Sequence, residues 1–321
     1  MNLIEKAGPR CPGKDWDENM SGKTSCYVCR SEKVNLFRTV NNLPIFRCKQ
    51  CGLLWVREQD HTVSAKEFYQ EEYFNSQNNF GYKNYEAQEK NHRKSARWIF
   101  RITDKVRKVQ NKRILDIGCA HGFLLDEARK QRGCEVVGIE LSDYARNYAI
   151  EKLHLNVHNC NLEDCPADIG TFDAIFLTGV IEHLFEPRKL LETCQHLIKQ
   201  DGIMVITTID TRGYLPLYML KPPEHTFYFN RSNIELLLEQ SGYKTLLVRT
   251  NRYVYSLYDL FFRLKDFFSL SFFGRVGNLL KKRCPNWAVE IPTNEMFLVC
   301  GKNTKIIPPL KAGETLSMCG S

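Results

Sequence analysis

Short apolar runs and amphipathic stripes alternate through the middle of the chain. Ile114, Leu115 and Ile117 form the first run, 136–139 the second, a short segment around 155–158 the third and 172–177 the fourth. Further runs follow at 203–208, 244–249 and 294–300. Runs of this length bounded by glycine and polar residues predict buried strands. The segments between them, at about 123–131, 144–152 and 187–199, carry apolar residues at helical spacing. Ser232-Asn-Ile-Glu235 has the form of a capping box and predicts a helix that ends at Gly242. Strand and helix in alternation predict an α/β chain with a doubly wound, seven-stranded, mostly parallel sheet covered on both faces.

Other patterns flank this core. A basic helix is expected over 90–108, with Trp98, Ile99, Ile102 and Val106 on its apolar face. Its Arg93, Lys94, Arg97, Arg101, Lys105 and Lys108 read as a solvated face. Residues 61–85 are rich in aromatics (Phe68, Tyr69, Tyr73, Phe74, Phe80, Tyr82, Tyr85) and read either as packing or as a wall of an acceptor site. Residues 253–285 read as a helical insertion in which Leu257, Leu260, Phe261, Leu264, Phe267 and Phe268 recur at helical spacing. That stripe is read first as a packing or homodimer surface, with a lipid-linked substrate or weak membrane association as the lesser alternative. Residues 1–21 and 303–321 read as tails.

Composition adds one decisive feature. The chain has 13 cysteines, and its first residues lack the apolar centre of an export signal, so a cytoplasmic location and metal ligation are expected in place of a disulfide framework. Cys26-Tyr-Val-Cys29 and Cys48-Lys-Gln-Cys51 stand eighteen residues apart. Two such knuckles supply four thiolates to one Zn²⁺, with no open coordination position, so the metal is read as structural. Short strands at 35–40 and 45–47 make 22–60 a zinc ribbon, and 61–111 a helical connector, ahead of a main domain at 112–302. The net charge of +8 permits nucleic acid as a partner without requiring it. No apolar stretch is long enough to span a bilayer.

The chemistry centres on Asp116-Ile-Gly118-Cys-Ala120-His-Gly122, a tight turn between a strand and a helix. The turn is expected to offer free backbone N–H groups to a polar or anionic ligand group. Glu140, at the tip of the second strand, is placed to accept from ribose hydroxyls. Together with Asn161 and the fourth strand running into Thr178, these residues resemble the class I S-adenosylmethionine-dependent methyltransferases. The resemblance covers about 112–250 and extends less strictly to 302. It implies that Asp116, Gly118, Ala120 and Gly122 hold the methionine part of the cofactor. Ala120 stands where the family pattern has glycine, a methyl group that should be tolerated. The resemblance further implies Glu140 on the ribose, Leu141 against the adenine and Asn161 on its amino group, with Leu162 and Thr178 completing the set. It also implies that 294–300 is an antiparallel edge strand.

Ligands of open α/β sheets lie off the C-terminal strand ends. Two acid–histidine pairs fall there: Glu182-His183 after the fourth strand and Glu224-His225 after the fifth. A histidine suits a general base near neutral pH. His225, with Glu224 beside it, is favoured as the base, and His183 is the alternative. The Asn/Asp-Pro-Pro-aromatic segment of amino-directed nucleic-acid methyltransferases is absent after the fourth strand, as is a Pro-Cys nucleophile. The layout resembles bacterial sugar and surface-polysaccharide methyltransferases, which implies methylation at O or C of a small molecule, a sugar or nucleotide-sugar. The alternatives are an RNA methyltransferase that reads RNA through the ribbon and a non-catalytic cofactor-binding scaffold.

Overall fold

The computed structural model describes residues 25–57, 71–75, 84–160, 169–213, 220–268 and 270–303. Among the described residues the first strands form an antiparallel hairpin of β1 (Val34–Val40) and β2 (Leu43–Cys48), joined through Asn41 and Asn42. Both asparagines have positive φ, as a tight hairpin turn demands. Strand β3 (Leu54–Trp55) follows, then the short helix α1 (Glu71–Phe74) and α2 (Glu89–Thr103). The basic helix therefore stops five residues short of the expected 108.

The core runs in the expected alternation. In order come β4 (Arg113–Ile117), α3 (Phe123–Arg132), β5 (Glu135–Ile139), α4 (Asp143–Glu151), β6 (Val157–His158), β7 (Phe172–Thr178), α5 (Pro187–Leu197) and β8 (Ile198–Ile209). Next are β9 (Phe227–Tyr228), α6 (Arg231–Gln240), β10 (Tyr243–Ser256), α7 (Leu257–Phe268), α8 (Ser271–Arg283) and β11 (Ala288–Lys302). The main sheet has seven strands in the order β10-β11-β8-β7-β4-β5-β6. Its β8-β7-β4-β5-β6 part is parallel, and β11 runs antiparallel to β8 and β10. The last strand is thus antiparallel as expected but internal; β10 takes the edge.

Apolar residues of both faces of β4, β7 and β8 are buried, as expected of strands sandwiched between helix layers. Three further expectations need correction. Helix α6 starts at Arg231 and its capping box joins Asn230 to Asn233, not Ser232 to Glu235; each asparagine side chain accepts from the other's backbone N–H. The pairing of β10 with β11 continues to Ser256 and Ala288, so the insertion is a strand extension topped by the α7–α8 hairpin. In that hairpin Phe261 of the stripe faces Phe273 of α8, with ring centroids 6.2 Å apart, and its neighbour Phe262 lies against Gly277, where a Cβ would come within 2.9 Å of the ring. Lastly, the arginines of α2 are not simply solvated. Arg93 bridges Glu89, Asp126 and Glu127, Arg97 pairs with Glu127, and Arg101 pairs with Glu290. The pairs with Asp126 and Glu127 tie α2 to α3, because both carboxylates are buried and need cations.

The N-terminal hairpin is built into the rest of the molecule. A second sheet has the order β1-β2-β3-β9, and its last strand comes from the segment after β8. Cys26, Val28, Cys48, Leu53 and Trp55 belong to the same apolar core as Leu115, Ile175 and Ile206 of the main sheet. Nine of the described cysteines are free, and Cys160 is disulfide-bonded.

Candidate functional site

A cavity of about 460 Å³ opens at the C-terminal ends of β4, β5, β7 and β8. Asp116, Gly118, Ala120, Glu140, Leu141 and Thr178 line it; Gly122 caps α3 just behind. Asn161 and Leu162 lie outside the described residues. Gly118 has φ +71, and a Cβ there would meet Val180 Cγ2 at 2.6 Å, so a larger residue would push Val180 within the cavity wall. Ala120 also has positive φ, +48, so its methyl group costs backbone strain of about 1 kcal/mol rather than space.

The N–H groups of the turn are not free, contrary to expectation. Gly118 and Cys119 both donate to the carbonyl of Ile139, and Ala120 donates to Glu140 Oε2 at 2.8 Å. The end of β5 takes them because it sits directly beside the turn. Glu140 Oε1 accepts from Ser142 N–H, also at 2.8 Å. Two N–H bonds fix the Glu140 carboxylate in place and leave further lone pairs on each oxygen. Asp116 is buried, and its Oδ1 has no protein partner. Burial raises the Asp116 carboxyl well above its ordinary range, and the neighbouring Glu140 charge adds to this; burial also raises Glu140. A cation delivered here would relieve both acids.

One wall is aromatic. Tyr73, Phe74, Tyr85, Phe123 and Tyr253 line the cavity together with His92, which stacks on Tyr85 with ring centroids 4.1 Å apart. The Tyr253 hydroxyl lies 3.1 Å from His92 Nδ1, and burial takes His92 down to about 3. Phe68, Tyr69, Phe80 and Tyr82 fall outside the described residues.

The two acid–histidine pairs meet. His183 closes a short turn after β7, lines the cavity and places Nδ1 2.6 Å from the carbonyl oxygen of Glu224. The His225 ring lies 4.9 Å from that of His183. Neither His225 nor Glu224 is among the described residues that line the cavity. His225, expected to be the base, packs against His183, because the segment after β8 folds back under the turn after β7. Burial lowers His183 to about 4, helped by His225, so it is neutral at ordinary pH. Glu182 points into the core, where it accepts from the Thr208 hydroxyl at 2.9 Å, and burial raises it to about 8.

The second sheet holds this arrangement. Thr226 N–H donates to the Glu182 carbonyl at 2.8 Å, and the Thr226 carbonyl accepts from Val56 N–H, also at 2.8 Å. The side-chain amides of Asn230 and Asn233 both donate to the carbonyl of Cys51, at 3.1 and 3.4 Å. Cys51 belongs to the four-cysteine cluster, whose Sγ atoms all lie within 4.8 Å of one another. Cys26 and Cys51, and likewise Cys29 and Cys48, are 3.5 Å apart, too far for disulfides and close to the ~3.8 Å edge of a tetrahedron with Zn–S bonds of ~2.3 Å. The N–H groups of Gln50 and Cys51 point at the Cys48 sulfur, at 3.4 and 3.5 Å. The donor set and its spacing fit a metal ion.

The far end of the cavity has no counterpart in the sequence reading. Thr207, Asn251, Arg252, Tyr253 and Glu295 line it. Asn251 and Arg252 are neighbours that would ordinarily face opposite ways, but the β10–β11 register slips between Thr250 and Arg252 and turns both inward. Asn251 donates to Glu295 at 2.7 Å, and burial raises the Glu295 carboxyl. Only the bulge brings these residues to the site, and no motif marks a bulge.

Residues 87–248 match the family model described as methyltransferase domain. Over 149 residues the chain is 35% identical to a ubiquinone biosynthesis O-methyltransferase of Glaesserella parasuis, a match that covers 40% of this chain and 62% of the relative. It is 32% identical over 124 residues to the enzyme of the same name in Coxiella burnetii, covering 37% of this chain and 53% of the relative. The match thus spans less than two thirds of either relative. In fold it is similar to the solved complex between the Trm112 methyltransferase activator and a methyltransferase of Haloferax volcanii, with a TM-score of 0.50, 12% identity and coverage of 68% of this chain and 92% of that one.

Proposed function

This chain belongs to the class I S-adenosylmethionine-dependent methyltransferases, and we propose that it transfers a methyl group to a hydroxyl oxygen of a small, ring-shaped acceptor. The observation that carries this reading is a single cavity with the Asp116–Glu140 acids at one end, His183 in its wall and a row of aromatic rings beside them. Asp116 is the acid for the cofactor's ammonium group, its Oδ1 having no protein partner. Glu140, already fixed by Ala120 and Ser142, takes the ribose hydroxyls. Gly118 leaves the Val180 side chain its place in the cavity wall. When bound, the cofactor supplies a methyl carbon on a sulfonium, which needs an aligned nucleophile more than further activation. His183 takes the hydroxyl proton on Nε2 as the oxygen attacks, while Nδ1 stays bonded to Glu224. The aromatic wall holds the ring of the acceptor face-on. The four cysteines hold a structural Zn²⁺, and Cys51 passes that rigidity to the segment under His183.

A sugar or nucleotide-sugar remains the acceptor we infer, since aromatic faces and the polar Asn251–Glu295 end suit a polyhydroxylated ring. A phenolic ring is the second reading, favoured by the relatives named for O-methylation in ubiquinone biosynthesis. Labelled methyl transfer from S-adenosylmethionine into a cell extract separated into small molecules, RNA and protein tests this. Label on a sugar or nucleotide-sugar is expected. Label on a phenolic product selects the second reading, and label confined to RNA overturns both.

A further inference from the structure

Helix α8 and its flanks carry a surface that the fold leaves uncovered. Leu270, Phe272, Leu279 and Trp287 are 53, 65, 52 and 61% exposed. These are not the packing residues of the hairpin. The opposite side of α8 is already closed by Gly274 and Gly277, which are buried against Lys265 and Phe262 of α7. Between 270 and 287 the chain carries Arg275, Lys281, Lys282 and Arg283 and no Asp or Glu. All four cations are exposed. Phe272, Arg275, Leu279 and Lys282 fall at i, i+3, i+7 and i+10, which places apolar and basic side chains on one helix face.

We propose that this face docks on an anionic lipid bilayer. Large apolar side chains enter the headgroup boundary, and the cations beside them pair with lipid phosphates. Trp287, at the end of the patch, is of the type enriched at bilayer interfaces. The charge decides against a second copy as occupant: a two-fold contact would set the same four cations against themselves, with no acid in the patch to offset them. Nucleic acid would use the cations but leave Leu270 and Leu279 without a role. The position has a consequence for the site. Strand β10 contributes Asn251, Arg252 and Tyr253 to the cavity and then runs directly into α7, so the docking hairpin and the polar end of the cavity are joined by one strand.

Flotation of the full chain with vesicles tests this, comparing pure phosphatidylcholine with a phosphatidylcholine–phosphatidylglycerol mixture. The protein should float with the anionic vesicles only, and rising salt should release it. The double variant R275E/K282E should lose about thirtyfold or more in affinity, given the contribution of each basic residue near a charged surface. The variant F272S/L279S should lose binding as well. Circular dichroism and affinity for S-adenosylhomocysteine should be unchanged in both variants, since α8 lies outside the cofactor end of the cavity. Equal binding to neutral and anionic vesicles, or binding to neither, overturns the proposal. So does a concentration-dependent dimer without vesicles that F272S/L279S abolishes, or an RNA complex that R275E/K282E alone removes.

Discussion

His183 Nδ1 lies 2.6 Å from the carbonyl oxygen of Glu224. A carbonyl can only accept, so Nδ1 carries the hydrogen and Nε2 keeps its lone pair. The tautomer is set by a backbone atom and not by the adjacent carboxylates. His183→Gln should therefore lower kcat by about 10²–10⁴-fold, the range for loss of a general base, with little change in cofactor affinity. His225→Phe, which keeps an aromatic buttress, should lose much less. Because burial holds His183 near 4, the acid limb of kcat/KM should fall near pH 4 and not near 6.5. Full turnover by the His183→Gln variant would remove the residue from the mechanism.

Glu140 should be a binding residue and not a catalytic one. Both its oxygens accept backbone N–H bonds, and it would accept from the ribose as well. Glu140→Ala should weaken S-adenosylhomocysteine by about 10- to 100-fold, the worth of one or two charge-assisted hydrogen bonds. Calorimetry would measure this, and an unchanged Kd would move the ribose elsewhere.

Glu182 gives the protein a pH-dependent weakness. Its folded pKa is raised from 4.5 to about 8. Between those values the folded chain keeps a proton that the unfolded chain has lost. The contribution is therefore full below about pH 4.5 and is lost as pH rises towards 8. Glu182→Gln keeps an acceptor for Thr208 and removes the titration. The variant should melt higher than the parent at pH 8.5 and close to it at pH 5. A constant difference between the two pH values would contradict this.

The four-cysteine cluster should carry one zinc ion per chain. Cys29→Ser should lose that metal and lower the melting temperature, because a ribbon this small depends on its ion. Activity should fall further than cofactor affinity, since Cys51 braces the Asn230 segment and the cofactor acids lie on other strands. Elemental analysis with paired calorimetry separates these effects, and a metal-free protein with normal stability would dismiss the ion.

The parallel core was readable because its strands are buried on both faces and so appear as uninterrupted apolar runs. That Asp116 and Glu140 share one cavity and that the paired knuckles come together as one cluster was readable because the chemistry they suit demands fixed spacing. What escaped was long-range. Nothing in Glu224-His225 tells that its backbone would orient His183, since that depends on where the segment after β8 folds. The inward turn of Asn251 and Arg252 needs a register slip that leaves no local mark. Free N–H groups at the glycine turn were the natural expectation from a single strand and helix, and the neighbouring Ile139 carbonyl takes those of Gly118 and Cys119 while the Glu140 carboxylate takes that of Ala120. The basic face of α2 looked solvated because its buried acid partners, Asp126 and Glu127, lie about thirty residues away in sequence.

Strand β9, which the segment after β8 lends to the ribbon sheet, bears on how such a protein can be cut and recombined. The matched family region begins at residue 87, after the ribbon has ended. A fragment trimmed to that boundary would keep every residue proposed to hold the cofactor, yet leave β9 as a bare edge and strip two asparagine amides of the Cys51 carbonyl. Chimeras that exchange ribbons between relatives should succeed only when 226–233 travels with them. Inheritance should follow the same rule, with the knuckles and that distant octapeptide changing together.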